Sequence, residues 1–329
     1  MKKRDLFIRI IKIAFGGFLA VSIANLLGLA YSTSAGVITI LSIQNTKRET
    51  LRLVGRRVVA FFLALLIAYL CFTFFGYGLL AVGIFLLLFA FVCQILELQE
   101  ALVMNTVLMF HFYAEQSMSA LWIKNELLLL FIGTGIGILM NSYMVGSVEE
   151  IRKGQEEVEE MMRGILHKMS VTLLKESKEG YDANCFISLG EKLEQLEKYS
   201  FERRENTLLT DNRYFIKYVE MRKSQKFILK RIYDNIHHMD LVVKQAYQIS
   251  ELLEEVSGSL QEYNNGLLLL EHVESLYDKM REEPLPTVRE EFENRAFLYR
   301  LLHDLEDFLR LKIQFVDQLT EEEIERFWK

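Results

Sequence analysis

Arg56 and Arg57 follow the polar stretch Gln44-Asn45-Thr46 by about ten residues, in a part of the chain that is otherwise mostly apolar. An arginine guanidinium is a planar fork that can bind a carboxylate through two parallel hydrogen bonds, and amide and hydroxyl side chains near a helix end supply further donors. These five residues therefore form a candidate site for a small organic anion, and Asn105, a polar group within another apolar stretch, is grouped with them. His111 lies in the same stretch, and its imidazole titrates near neutral pH, which makes it a candidate proton relay. The plainer reading of the arginines is a topological signal with phospholipid contact, and composition alone leans slightly that way.

Other chemistries lack their motifs. There is no GxxxxGK[ST] loop for nucleotide phosphates, no Rossmann glycine pattern after a strand and no HExxH, so the chain reads as a non-enzyme without cofactor or metal. The pair His237-His238 and the isolated His167, His272 and His303 have no ligand spacing, and Cys71, Cys93 and Cys185 suggest neither a zinc site nor a disulfide framework. The run Gly133-Thr134-Gly135-Ile136-Gly137 sits inside an apolar segment. Its outer glycines are four apart on one helix face, a pattern for close helix approach rather than for ligand binding.

The elements that must position these residues follow from an uneven composition. The 329 residues are 51% hydrophobic and 25% charged, with a mean hydropathy of +0.16. Residues 1–146 hold 11 Lys/Arg against 6 Asp/Glu, which leaves 27 against 38 for the rest, so a basic apolar half precedes an acidic one. Only two prolines occur, Pro284 and Pro286, and long helices are expected. A crossing of the ~30 Å hydrocarbon layer takes about 20 apolar residues. Ile13–Tyr31, Val58–Phe75, Leu79–Ile95 and Leu127–Val145 are the clear candidates, with Ser32–Thr46 and Ala101–Tyr113 weaker. Lys and Arg gather before the first segment, between the second and third, and after the last. Six transmembrane helices with both termini cytoplasmic satisfy that asymmetry. The opening MKKRDLFIRIIK resembles a secretory signal, but the apolar stretch is longer than a signal core, and retention as an anchor is expected.

Residues 147–329 change to helical periodicity. Leu189, Leu193 and Leu196, then Ile249, Leu252, Leu253 and Val256, then Leu298, Leu301, Leu302, Leu305, Phe308 and Leu309 each form one apolar stripe. Thr287 with Glu290 and Thr320 with Glu323 have capping-box spacing and mark helix starts. The expected architecture is all-α: a polytopic membrane unit, then a cytosolic bundle of about five helices.

The pattern Ser42-Ile-Gln44-x-Thr46, a basic stretch, and an arginine opening the next segment resembles the signature of the bacterial aromatic acid exporters, relatives of the fusaric acid resistance transporters. The whole chain is similar to their Gram-positive subgroup, in which a membrane unit precedes an aromatic acid exporter C-terminal domain. It departs from the pattern in having Ala60 and Ala64 where members often carry glycine, which predicts looser helix packing there. The resemblance implies plasma-membrane export of aromatic carboxylates or similar organic anions, driven by an ion gradient or passive. It also implies a homo-oligomer, because many relatives carry two membrane units in one chain. Membrane lipid is the other expected partner, and no nucleic acid is. The alternative is a membrane-anchored scaffold or sensor whose helical domain binds a protein.

Overall fold

The computed structural model describes residues 3–142, 148–178, 183–207 and 213–328, and every regular element among them is a helix. Two compact units divide between the sixth and seventh helices, except that Glu205 and Asn206, at the end of the eighth helix, group with the first unit. The expected boundary at 146/147 falls outside the described residues.

The first unit contains α1 (Lys3–Leu26), α2 (Thr33–Ser42), α3 (Lys47–Phe75), α4 (Leu79–Ile95), α5 (Gln99–Ala114) and α6 (Ala120–Ser142). Helices α1, α3 and α6 are long and apolar enough to cross a membrane, whereas α2 and α4 are shorter apolar helices. Large apolar side chains such as Phe18, Phe74, Leu79, Phe91 and Val103 remain exposed around the unit. Such a surface suits lipid and not water. Inside, Ala60, Ala64 and Ala68 of α3 are fully buried together with Phe61, Phe85, Phe89 and Phe112. The expectation of loose packing at Ala60 and Ala64 is thus corrected: a methyl group is small enough for neighbouring helices to close on it.

Two further differences bear on the candidate site. The basic residues between the second and third apolar segments are part of α3, whose start is capped by the Thr46 side chain accepting from Glu49 N at 3.2 Å. The second segment is helical for only ten residues. At 1.5 Å per residue it is about 15 Å long, half the hydrocarbon thickness.

The second unit comprises α7 (Val148–Leu173), α8 (Asn184–Asn206), α9 (Tyr214–His237), α10 (Gln245–Ser259), α11 (Leu267–Glu282), α12 (Arg289–Asp317) and α13 (Glu321–Phe327). Seven described helices replace the expected five or so: α13 spans only seven residues, and α11 buries Leu269, Val273 and Leu276 on one face, a shorter stripe than those read from the sequence. The leucine stripes on α8, α10 and α12 are buried in one core. Thr320 and Glu323 form the expected capping box, but Thr287 and Glu290 do not. Val288 is the N-cap of α12, so Glu290 falls one position short, and Glu291 instead accepts from Thr287 N at 3.3 Å.

Candidate functional site

Helix α2 lies against α6 with almost no side chain between them. A Cβ on Gly133 would sit 2.5 Å from Ile38 and 2.8 Å from the Ala35 carbonyl oxygen, and one on Gly137 would sit 2.6 Å from the Ser42 side chain. The Thr39 hydroxyl fastens the contact, 2.9 Å from both the Ala35 and Gly133 carbonyl oxygens. The glycine run therefore serves close packing, as its spacing predicts.

A short helix inside an apolar unit exposes backbone groups at both ends, and these need partners where water is scarce. Two asparagines of α6, sixteen positions apart, supply them. Before α2, Asn125 accepts from Ala30 N at 2.9 Å and donates to Ala30 O at 3.1 Å. After α2, Asn141 Nδ2 lies 3.0 Å from Gln44 O, 3.2 Å from Thr46 O and 2.5 Å from Thr50 Oγ1. Residues 30–46 thus run beside about 24 Å of α6 although only ten of them are helical.

The C-terminal end of α2 meets Arg57, which is 4% exposed. Its Nη1 donates to Ser42 Oγ at 2.8 Å and its Nη2 to Leu41 O at 3.0 Å, where the helix carries partial negative charge. Arg57 Nε is buried without a partner, and among the described residues no carboxylate lies within ion-pair distance of the guanidinium. Asn105 donates to Arg57 O at 3.2 Å, leaving its own buried Oδ1 unpartnered. Arg56, one position along the helix, is partly exposed and pairs with Glu100 at 3.7 Å. The polar stretch is used locally: Gln44 folds back onto Leu41 O, exposed Asn45 accepts from Arg9 at 3.0 Å, and Thr46 caps α3. Of the six candidate anion residues, Arg57 and Asn105 are joined through the Arg57 carbonyl oxygen and each keeps one buried polar atom without a partner, while the other four have separate tasks.

The N-terminal end of α2 meets the other candidate. His111 Nδ1 is 2.8 Å from Glu126 Oε2, and Glu126 is fully buried. Asn125 Nδ2 donates to Glu126 Oε1 at 3.0 Å, and Ser34 Oγ lies 3.4 Å from His111 Nε2. The Tyr31 ring stacks on the imidazole at 4.0 Å, its hydroxyl donating to Glu115 at 2.8 Å. Sequence reasoning missed Asn125 and Glu126, and gave Asn141 no role. Their signal is polar or charged side chains at the ends of an apolar run, which bury only if they have work inside the protein.

The second unit has its own buried polar centre. Arg222 binds Glu159 at 2.6 Å and the Tyr218 hydroxyl at 3.1 Å, and Glu262 gathers Arg152, Gln155 and Tyr214. Burial pushes the Tyr214 and Tyr218 hydroxyls up, so both remain donors. Lys312 donates to the Glu262 carbonyl oxygen, and burial, aided by the nearby Arg222 charge, lowers its ammonium to about 7.

Comparison with known proteins gives one answer for both units. Residues 4–144 match "Aromatic acid exporter family member 1", and residues 149–313 match the "Putative aromatic acid exporter C-terminal domain". YqjA of Bacillus subtilis (strain 168) is 29% identical over 307 residues, covering 93% of this chain and 95% of its own. A solved structure described as a "putative membrane protein from Clostridium difficile 630" is 28% identical with a TM-score of 0.45, covering 51% of this chain and 99% of its own. Apolar helices with a lipid-suited surface and these two matches make this a membrane protein, and the chain belongs to the aromatic acid exporter family.

Proposed function

We propose that the protein exports aromatic carboxylates or similar organic anions across the plasma membrane, along a path in its first unit that is attractive to anions because of Arg57. Arg57 is the observation that supports this most directly. A buried cation with no carboxylate in ion-pair contact is costly in a low-dielectric interior, and the end of α2 offers only a partial negative charge. An anionic substrate completes the site, meeting the free Nε while Asn105 and the surrounding apolar side chains of α3 and α5 face its ring. Short helices whose ends are held inside the protein are a recurrent way to build ion sites at membrane depth.

In this reading residues 1–146 pass the membrane six times, both termini and the second unit are cytoplasmic, and copies of the chain assemble as a homo-oligomer. The absence of Lys and Arg between the first and second and between the third and fourth segments supports that orientation. Export is passive or coupled to an ion gradient, since the sequence has no nucleotide-binding loop. The test is efflux from proteoliposomes with a panel of aromatic carboxylates and sulfonates. Efflux faster than from protein-free vesicles is expected for at least one of them; equal rates across the panel reject the proposal.

A further inference from the structure

Glu126 is a carboxyl group without solvent contact, inside a unit whose surface suits lipid, and its ionisable contact is the imidazole of His111. The other ionisable groups facing this pair are Tyr31, stacked on the imidazole from the turn before α2, and Glu115 just past α5, which holds the Tyr31 hydroxyl. Asn125 and Ser34 complete the polar contacts, and among the described residues no further charged group hydrogen-bonds to either member.

With one proton the pair is neutral overall, whether that proton sits on His111 Nδ1 or Glu126 Oε2. Removing it leaves a net negative charge at a buried site, which burial disfavours unless the surroundings move. Adding a second proton has the same problem with the opposite sign. Proton occupancy and local conformation are therefore linked.

The groups that would have to move are those that set α2. Asn125 grips Glu126 and the Ala30 backbone at once, and Ser34, in the first turn of α2, faces His111. Eight residues on, about 12 Å along the same helix, Ser42 receives Arg57. Between them α2 is an unbroken ten-residue helix packed closely on α6, a rigid link between its two ends.

We propose that His111 and Glu126 bind the proton whose gradient drives export, and that α2 transmits its occupancy to Arg57. One proton adds to the pair, its net charge changes from minus one to zero, and no heavy-atom bond forms or breaks. Tyr31 covers the imidazole, and release of its hydroxyl from Glu115 opens the pair to the adjacent medium. This deepens the export proposal and rests on it, but the proton site has a signature of its own.

The experiment uses the full chain in two measurements. In proteoliposomes the probe is benzenesulfonate, which stays ionised and so carries no proton through the lipid itself. The parent is expected to concentrate it against its gradient when a pH gradient is imposed. Glu126→Gln, which preserves size and can still accept from Asn125, loses that dependence, and Glu126→Asp restores part of it. A parent that moves the probe indifferently to pH, or a Glu126→Gln variant that still follows the gradient, overturns the coupling. The second measurement needs no substrate: infrared difference spectra recorded across a pH step. A buried carboxyl band is expected in the parent, lost in Glu126→Gln and displaced in His111→Gln. If no probe anion moves, the export proposal fails while this band still decides the proton site; absence of the band overturns it.

Discussion

Replacing Arg57 by lysine separates recognition of an anion from mere positive charge. Both residues are cationic, so the topological signal of the basic first half of α3 is kept. The guanidinium joins α2 through two nitrogens at once, Nη1 to Ser42 Oγ at 2.8 Å and Nη2 to Leu41 O at 3.0 Å, and still has Nε free. A lysine has one nitrogen and cannot hold both partners and present a fork to a carboxylate. At least one charge-assisted hydrogen bond is lost, about 1.5–3 kcal/mol. With about 1.4 kcal/mol per factor of ten, the rate of aromatic anion efflux should fall roughly ten- to a hundredfold. The assay is the initial efflux rate from proteoliposomes containing equal amounts of inserted parent and Arg57→Lys protein. A variant within about threefold of the parent would refute the reasoning, since one lost bond predicts more than that, and would leave membrane orientation as the role of the arginine.

Gly133→Ala places a methyl group 2.8 Å from the Ala35 carbonyl oxygen, a backbone atom that cannot rotate away, so it should destabilise the first unit by about 1–3 kcal/mol. Gly135→Ala, which meets nothing within 4 Å, is the control, and equal melting temperatures for the two would contradict the close α2–α6 contact. Lys312 is lowered from 10.5 to about 7, so between these values the unfolded chain holds a proton that the folded one lacks, and stability should rise with pH. From pH 7 to about 9, below the range where the tyrosines ionise, the gain is about 2 kcal/mol in denaturant unfolding, and Lys312→Met should flatten it; an unchanged slope sinks the assignment. Six crossings require that cysteines introduced at Tyr77 or Gln116 be labelled from outside the cell, and at Glu49 or Ser257 only after permeabilisation. External labelling at Glu49 overturns that topology.

Periodicity and composition are local properties, and what depends on them was legible in the chain. Leu79–Ile95 is bounded in the structure as its apolar run indicates, and the stripe from Leu298 to Leu309 is buried because residues three and four apart share a helix face. The glycines of α6 announce a close contact, but not that α2 is the helix that fills it. The limits of α2 were not legible either. Ser32–Thr46 reads as one segment, yet its helix stops at Ser42 because Asn141, nearly a hundred residues on, takes the carbonyls of Gln44 and Thr46. Arg56 and Arg57 look equivalent in sequence. A turn of about 100° per residue around α3 puts one beside Glu100 and buries the other against α2, so tertiary packing alone distinguishes them. His111 was visible as a titratable group in an apolar stretch, but its pairing with Glu126 was not, because hydrogen-bond partners on different helices are chosen by how those helices pack and leave no spacing in the chain.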